Sequence, residues 1–279
     1  MSEGSLPPVR RARGYRLYTE DGRRLLDLYL DGGAALLGHR PELVGRALKN
    51  VAGRGLLGNL PSSYPARLRR RLGQALPGHA WFGIAATADD ALGLLRRRLG
   101  EALVPLLQVA DPLSEPNWRE AQVAWWRPLC DEQPAGGAWL AHGPPALLHR
   151  LPFAAGAGPV TVSTREGGTG ECASAPDVSP LLLAGAAVAL RQLLRTATER
   201  SAVASVWPPA VPGWRRSGVY VMADYPPHRH QAVHAAFLAA GVLLNPRYPG
   251  PSILPGTVSP GEAALLRRLF ATQPGDRQG

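Results

Sequence analysis

The sequence predicts an α/β protein: a central domain with a parallel-type sheet, and a smaller α/β lobe built from the two chain ends. Three stretches carry that expectation. YRLYT and LLDLYL flank Glu20-Asp21-Gly22-Arg23 as a hairpin. AWFGIAATADDALGLLRRRLGEAL reads as strand, turn and helix. The third is an apolar approach through Trp125, Trp126 and Leu129 to Asp131-Glu132, which is how a carboxylate is presented at the end of a buried parallel strand. With 279 residues, 45% of them hydrophobic, the chain is long enough to bury a core as one large domain or two lobes.

Taken in order, Asp21-Gly22 between alternating runs predicts a tight turn with both central residues at positive φ. A Gly-rich loop with Gly38-His39 follows. Pro41 then opens a helix whose apolar stripe is Leu43, Val44, Ala47, Leu48 and Val51. Ser62-Ser63 sets off a helix from Pro65 to Leu76 carrying Leu68, Leu72 and Leu76, and Pro77-Gly78 marks a boundary. The expected division is an N-terminal segment over 1–76, a large domain over 77–205 and a small C-terminal domain over 206–279. In the large domain Thr87 is the expected N-cap of a helix with Asp89 and Asp90 in its first turn. From Val104 to Arg127 periodicity is lost, and Trp118, Trp125 and Trp126 are expected to cover sheet and fill gaps. PVTVST reads as a short strand, and the polar loop over 165–177 suggests no chemistry. Pro180 begins a long helix apolar on nearly all sides, hence buried. Pro208, Pro209 and Pro212 mark a linker. GVYVMADYP is a strand, HQAVHAAFLAAG a helix stopped at Gly241, and VLLNPRYPGPSIL two extended segments. Ser259-Pro260-Gly261-Glu262 is a capping box opening the last helix.

The net charge of +10 can attract nucleic acid or an acidic surface. Its arginines fall in short groups on polar helix faces, however, which predicts solvated faces and no nucleic-acid partner. No run approaches the length of a membrane span, and the basic N-terminus leads into no apolar signal core, so a cytoplasmic protein is expected. Cys130 and Cys172 have no framework or metal spacing and suit reduced thiols. His228, His230 and His234 have the spacing of a loop entering a helix, and with no cysteine or clustered carboxylate nearby no metal site is expected. No Gly-x-Ser-x-Gly elbow is present, and His39 reads as a loop residue.

The order of these features resembles class III pyridoxal-phosphate-dependent aminotransferases and glutamate-1-semialdehyde aminomutases, of fold type I. The resemblance lies in the hairpin with its Leu-Gly-His-Arg-Pro-Glu-Leu run, in CDEQPAGGAWLAHGPPALLHRLPFAAGAGP, and in the C-terminal run from Phe237 through Gly241-Val242 to the capped helix. It implies pyridoxal phosphate as cofactor, with Asp131 at the pyridine nitrogen and a lysine before the glycine run. Phe153 stands where that lysine would be, and the one lysine of the chain, Lys49, lies far upstream. Of the phosphate turn Ser-Gly-Thr-Glu-Ala only Thr87 matches; Ala85 and Ala86 precede it, and Ala88 and Asp89 follow. His149, four residues before Phe153, could move protons but could not hold the cofactor covalently, and a structural histidine is expected. The interval from Thr87 to Asp131 is too short for the family's further strand-helix units, so the resemblance implies a reduced large domain. Asp131 and Thr87 would then be vestigial cofactor residues, no catalytic residue would remain, and pyridoxal phosphate would be lost. The leading expectation is a non-catalytic protein acting through a homodimer, or a heterodimer with a full-length relative. The alternatives are an aminotransferase or aminomutase with altered cofactor handling and, more weakly, an arginine-rich nucleic-acid-binding module.

Overall fold

The computed structural model describes residues 6–100, 109–133, 138–153, 158–165, 178–205 and 210–272. In chain order come β1 (Val9–Arg13), β2 (Arg16–Thr19), β3 (Arg24–Asp27), α1 (Glu42–Gly53), α2 (Tyr64–Ala75), β4 (Trp81–Ala85), α3 (Ala88–Leu99), β5 (Val109–Ala110) and β6 (Val123–Trp126). Then follow β7 (Ala146–Arg150), β8 (Val160–Thr164), α4 (Pro180–Ser205), β9 (Ala210–Val211), β10 (Trp214–Ser217), β11 (Tyr220–Ala223), α5 (His230–Ala239), β12 (Val242–Leu243), β13 (Ser252–Ile253) and α6 (Pro260–Ala271). The chain divides into two compact units, Met1–Arg40 with Thr198–Gly279, and Pro41–Ala197. The small residues that follow Phe153, from Ala154 to Ala157, lie outside the described residues, as do Cys172, the polar loop from 166 to 177 and Pro208-Pro209.

In the unit made of both chain ends, β1, β2 and β3 are antiparallel neighbours and β12 pairs with β3 in parallel, Val242 opposite Leu26. Leu17, Leu25, Leu238 and Leu243 form a core there. The hairpin turn differs from expectation, because only Gly22 takes a positive φ, +84°. The loop spans four residues, and Thr19 closes it by accepting from the Arg23 amide at 3.1 Å while donating to Asp21, so a second left-handed residue is not needed. A second sheet runs β13-β11-β10-β9. Over it Trp214 packs edge-on against Tyr225 and Phe270, with ring centroids 5.2 and 4.9 Å away. The capping box forms as read: the Ser259 hydroxyl accepts from the Glu262 amide, and the Glu262 carboxylate accepts from the Ser259 amide at 2.8 Å.

The second unit holds a five-stranded sheet ordered β4-β8-β7-β6-β5. β5, β6 and β7 are parallel, and β8 runs antiparallel to both β7 and β4. α3 covers one face, where Leu94, Leu95 and Ala91 meet Trp81, Val123, Leu148 and Val162. The fit is close enough that a Cβ at Gly83 would lie 2.8 Å from Val162 Cγ2. The stretch read as irregular contains β5 and β6. VAWW is a continuous apolar run buried on both faces, so it carries no alternation to recognise. The α1 stripe is narrower than expected: Val44 and Val51 are buried, but Leu43 is 40% exposed. α4 buries Leu183, Ala186, Ala189, Leu190 and Leu193, but Val188, Arg191 and Gln192 are only half-buried and Leu194 is exposed, so the helix is less evenly buried than its composition predicted. Among the described residues no helix is long and apolar enough to cross a membrane.

Candidate functional site

Thr87, Asp131 and Phe153 sit on three loops of the five-stranded unit. Thr87, in the turn from β4 to α3, is the N-cap: its hydroxyl accepts from the Asp90 amide at 3.1 Å and donates to the Asp90 carboxylate at 2.6 Å. Asp89 and Asp90 occupy the first turn, where the helix dipole favours negative charge. The hydroxyl and the positive helix end are therefore both engaged by the helix's own carboxylates.

Asp131 lies beyond β6 in an exposed turn, four residues separating it from the strand end at Trp126. Gln133, not foreseen from sequence, fastens this turn: its amide oxygen accepts from the Arg127 amide at 2.6 Å and its nitrogen donates to the Trp125 carbonyl at 2.9 Å. Leu129 adopts φ +72° within the turn, a conformation that costs a non-glycine residue about 1 kcal/mol or more. Arg127 pairs with Asp111 at 2.5 Å. Cys130 is buried, and burial together with the nearby Glu132 carboxylate pushes its thiol pKa well up, leaving a poor nucleophile.

Phe153 follows β7 and is 6% exposed. Its ring lies so near α4 that a Cβ at Gly185 would come 2.6 Å from Phe153 Cε2 and 3.0 Å from Leu48 Cδ2. The glycine is what admits the ring. Lys49 is exposed on α1. A phenyl ring can fill this place but can neither accept a proton nor attack a carbonyl.

Sequence reasoning missed a buried polar chain across β7 and β8. His149 lies opposite Thr161, and Leu147 opposite Ser163, so His149, Thr161 and Ser163 share one sheet face. His149 Nδ1 is 2.9 Å from Thr161 Oγ1, its Nε2 2.9 Å from Ser163 Oγ, and Ser163 Oγ 2.7 Å from His79 Nδ1. Burial lowers the His79 pKa to about 4, helped by the Arg165 guanidinium, and lowers that of His149 well below the usual imidazole value. Both rings are neutral at pH 7. His79 Nε2 is buried with no partner among the described residues. Ser163 between two imidazoles has the atoms of a nucleophile and base, yet Ser163 and His149 are both 0% exposed, which keeps substrate away.

His39 and His230 are spent on structure. Asp27 accepts from the Tyr29 and Leu30 amides through one oxygen and meets His39 Nε2 at 2.6 Å through the other. Gly38, at φ +88°, lets this loop cross Gly14, whose carbonyl oxygen would be 3.0 Å from an added Cβ. His230 accepts from Tyr225 Oη and donates to the Asn245 carbonyl, each at 3.0 Å, while His228 is exposed. Among the described residues no three potential ligands cluster around a metal position.

Solved structures share this architecture. Ornithine δ-aminotransferase of Plasmodium falciparum superposes with a TM-score of 0.69 at 12% identity, covering 97% of this chain and 94% of that one. An omega-transaminase of Sphaerobacter thermophilus gives 0.66 at 14%, covering 97% and 91%. The fold is that of the pyridoxal-phosphate-dependent aminotransferases. No family model matches the sequence. An uncharacterised protein of Treponema pallidum (strain Nichols) is 28% identical over 284 residues, 88% of each chain. A glutamate-1-semialdehyde 2,1-aminomutase of Lawsonia intracellularis is 31% identical over 83 residues, 30% of this chain and 19% of that one.

Proposed function

We propose that this chain is an aminotransferase-fold protein that has given up transamination and acts by association, with itself or with a full-length relative. The observation that carries the reading is Phe153, a buried ring packed against Gly185 at the place where the family resemblance puts a lysine. The phosphate turn does not fit the cofactor either. The Thr87 hydroxyl and the α3 N-terminus are engaged by Asp90 and Asp89, which compete with a phosphate dianion for the same positive end. The reduction of the large domain that we propose is internal, between Thr87 and Asp131, where the sequence leaves no room for further strand-helix units. Such a reduction would leave sheet edge and apolar surface for a partner copy to cover.

Borohydride reduction in the presence of pyridoxal phosphate, followed by peptide mapping, tests the loss of covalent chemistry. No stoichiometrically labelled peptide is expected, and one carrying Lys49 would overturn the proposal. Light scattering of the pure protein and affinity purification from its native cells test association. A monodisperse monomer that recovers no partner would overturn that part. A second reading, an aminotransferase or aminomutase with altered cofactor handling, rests on Asp131, whose carboxylate is exposed beyond a parallel strand. Stoichiometric retention of the cofactor through gel filtration would favour it.

A further inference from the structure

A cleft of about 480 Å³ opens between α1, α2 and α4, within the five-stranded unit. Arg67, Arg70 and Arg71 line it from α2, and Arg191 faces them from α4. The first three recur at helical spacing and so share one face. No acidic residue lines the cleft, and among the described residues no carboxylate pairs with any of the four. The contrast lies within the same molecule, where Arg16, Arg46 and Arg127 each hold a carboxylate. Two of the four guanidinium groups are positioned in advance. That of Arg67 stacks 5.0 Å from the centre of the Tyr64 ring, and Arg71 donates to Gln74 at 2.8 Å. Four like charges around one concavity raise a positive potential that an entering polyanion relieves. A merely solvated arginine face would not need Arg191, which comes from a different helix.

We propose that this cleft binds a small organic anion carrying two or more phosphate groups. Planar guanidinium forks match phosphate oxygens in bidentate geometry. Four of them exceed what a single phosphate can neutralise, and a diphosphate supplies the second anionic centre. The volume exceeds that of the anionic end alone, and Ala184, Ala187 and Val188 give the rest of the cleft an apolar wall on α4 for an organic body. The site goes beyond the association reading and uses none of Thr87, Asp131 or Phe153.

Calorimetric titration at low salt tests it, with inorganic pyrophosphate, inorganic phosphate and ADP as probes. Pyrophosphate is expected to bind at one site per chain, about tenfold or more tighter than phosphate, with ADP at least as tight as pyrophosphate because its body meets the apolar wall. Arg70→Gln with Arg191→Gln should weaken pyrophosphate about a hundredfold, about tenfold per lost charge-assisted contact, without lowering the thermal midpoint. Non-saturable binding, equal affinity for phosphate and pyrophosphate, or binding unchanged in the double variant would overturn the proposal. So would a single-stranded oligonucleotide that binds through the same arginines more tightly than either diphosphate, since that would assign the cleft to nucleic acid.

Discussion

The proposed loss of transamination turns on Phe153, and a single substitution probes it. Phe153→Lys restores an amine on paper, but it puts an ammonium into a site 6% exposed and shaped by Gly185 and Leu48 around a ring. A stability loss on the order of 3 kcal/mol is expected from denaturant unfolding. No amino-group transfer should appear, because the Thr87 turn and the Asp131 turn would still not position a cofactor. Measurable transfer by this variant would show that a working pocket survives. The sequence places Phe153 opposite the family's lysine only through the resemblance of the flanking run to a known motif. The glycine that admits the ring was not legible, since Gly185 lies in a helix whose composition gives no hint of what it touches. The His79, Ser163, His149, Thr161 chain was equally hidden: its first member lies far upstream of the other three, and only the register of β7 on β8 gathers them.

Among elements, those with local chemistry read well and those without it did not. The Ser259 capping box and the Thr87 cap announce themselves within four residues, and both form. β1 is mostly arginine, β5 and β9 are two residues long, and β6 lacks alternation. Each owes its existence to a neighbouring strand, which periodicity cannot see. Ser259→Ala should destabilise by about 1 kcal/mol, the usual value of an N-cap, read from the denaturation midpoint. Gly83→Ala should cost more, about 1 to 3 kcal/mol, because the added methyl meets Val162 and Trp81 below contact distance where α3 lies on β4. If both variants unfolded at the wild-type midpoint, the packing of α3 and the capping of α6 would have no energetic weight.

At the scale of the whole molecule, one unit carries two buried histidines, His79 and His149, while the other carries the paired Glu262 with a single histidine, His234, whose pKa burial lowers, and this imbalance gives acid unfolding an order. In the Pro41–Ala197 unit, burial holds His79 at about 4 and His149 below its usual value. The unfolded chain binds protons at these sites from near pH 6.5, before the folded one does, so stability from neutral rings is present above that pH and drains as pH falls toward 4. For His79 alone the loss is on the order of 3 kcal/mol. The other unit depends on Glu262, where desolvation raises the carboxyl pKa but the Arg16 fork and the Ser259 amide outweigh it and bring it to about 2. That stability is present above the ordinary carboxylate range, near pH 4.5, and is lost only as pH falls from there toward 2. Between about pH 6 and 4.5 the first unit therefore weakens while the second keeps its ion pair. Hydrogen exchange across this window should show amides of β4, β7 and β8 losing protection first, with those of β2, β3 and α6 protected until lower pH. Simultaneous loss in both units, or loss beginning at α6, would mean that the buried histidines do not set the acid limit. A His149→Gln variant sharpens the test, since an amide can hydrogen-bond both hydroxyls without titrating. It should shift the onset of exchange in β7 to lower pH while leaving α6 unchanged.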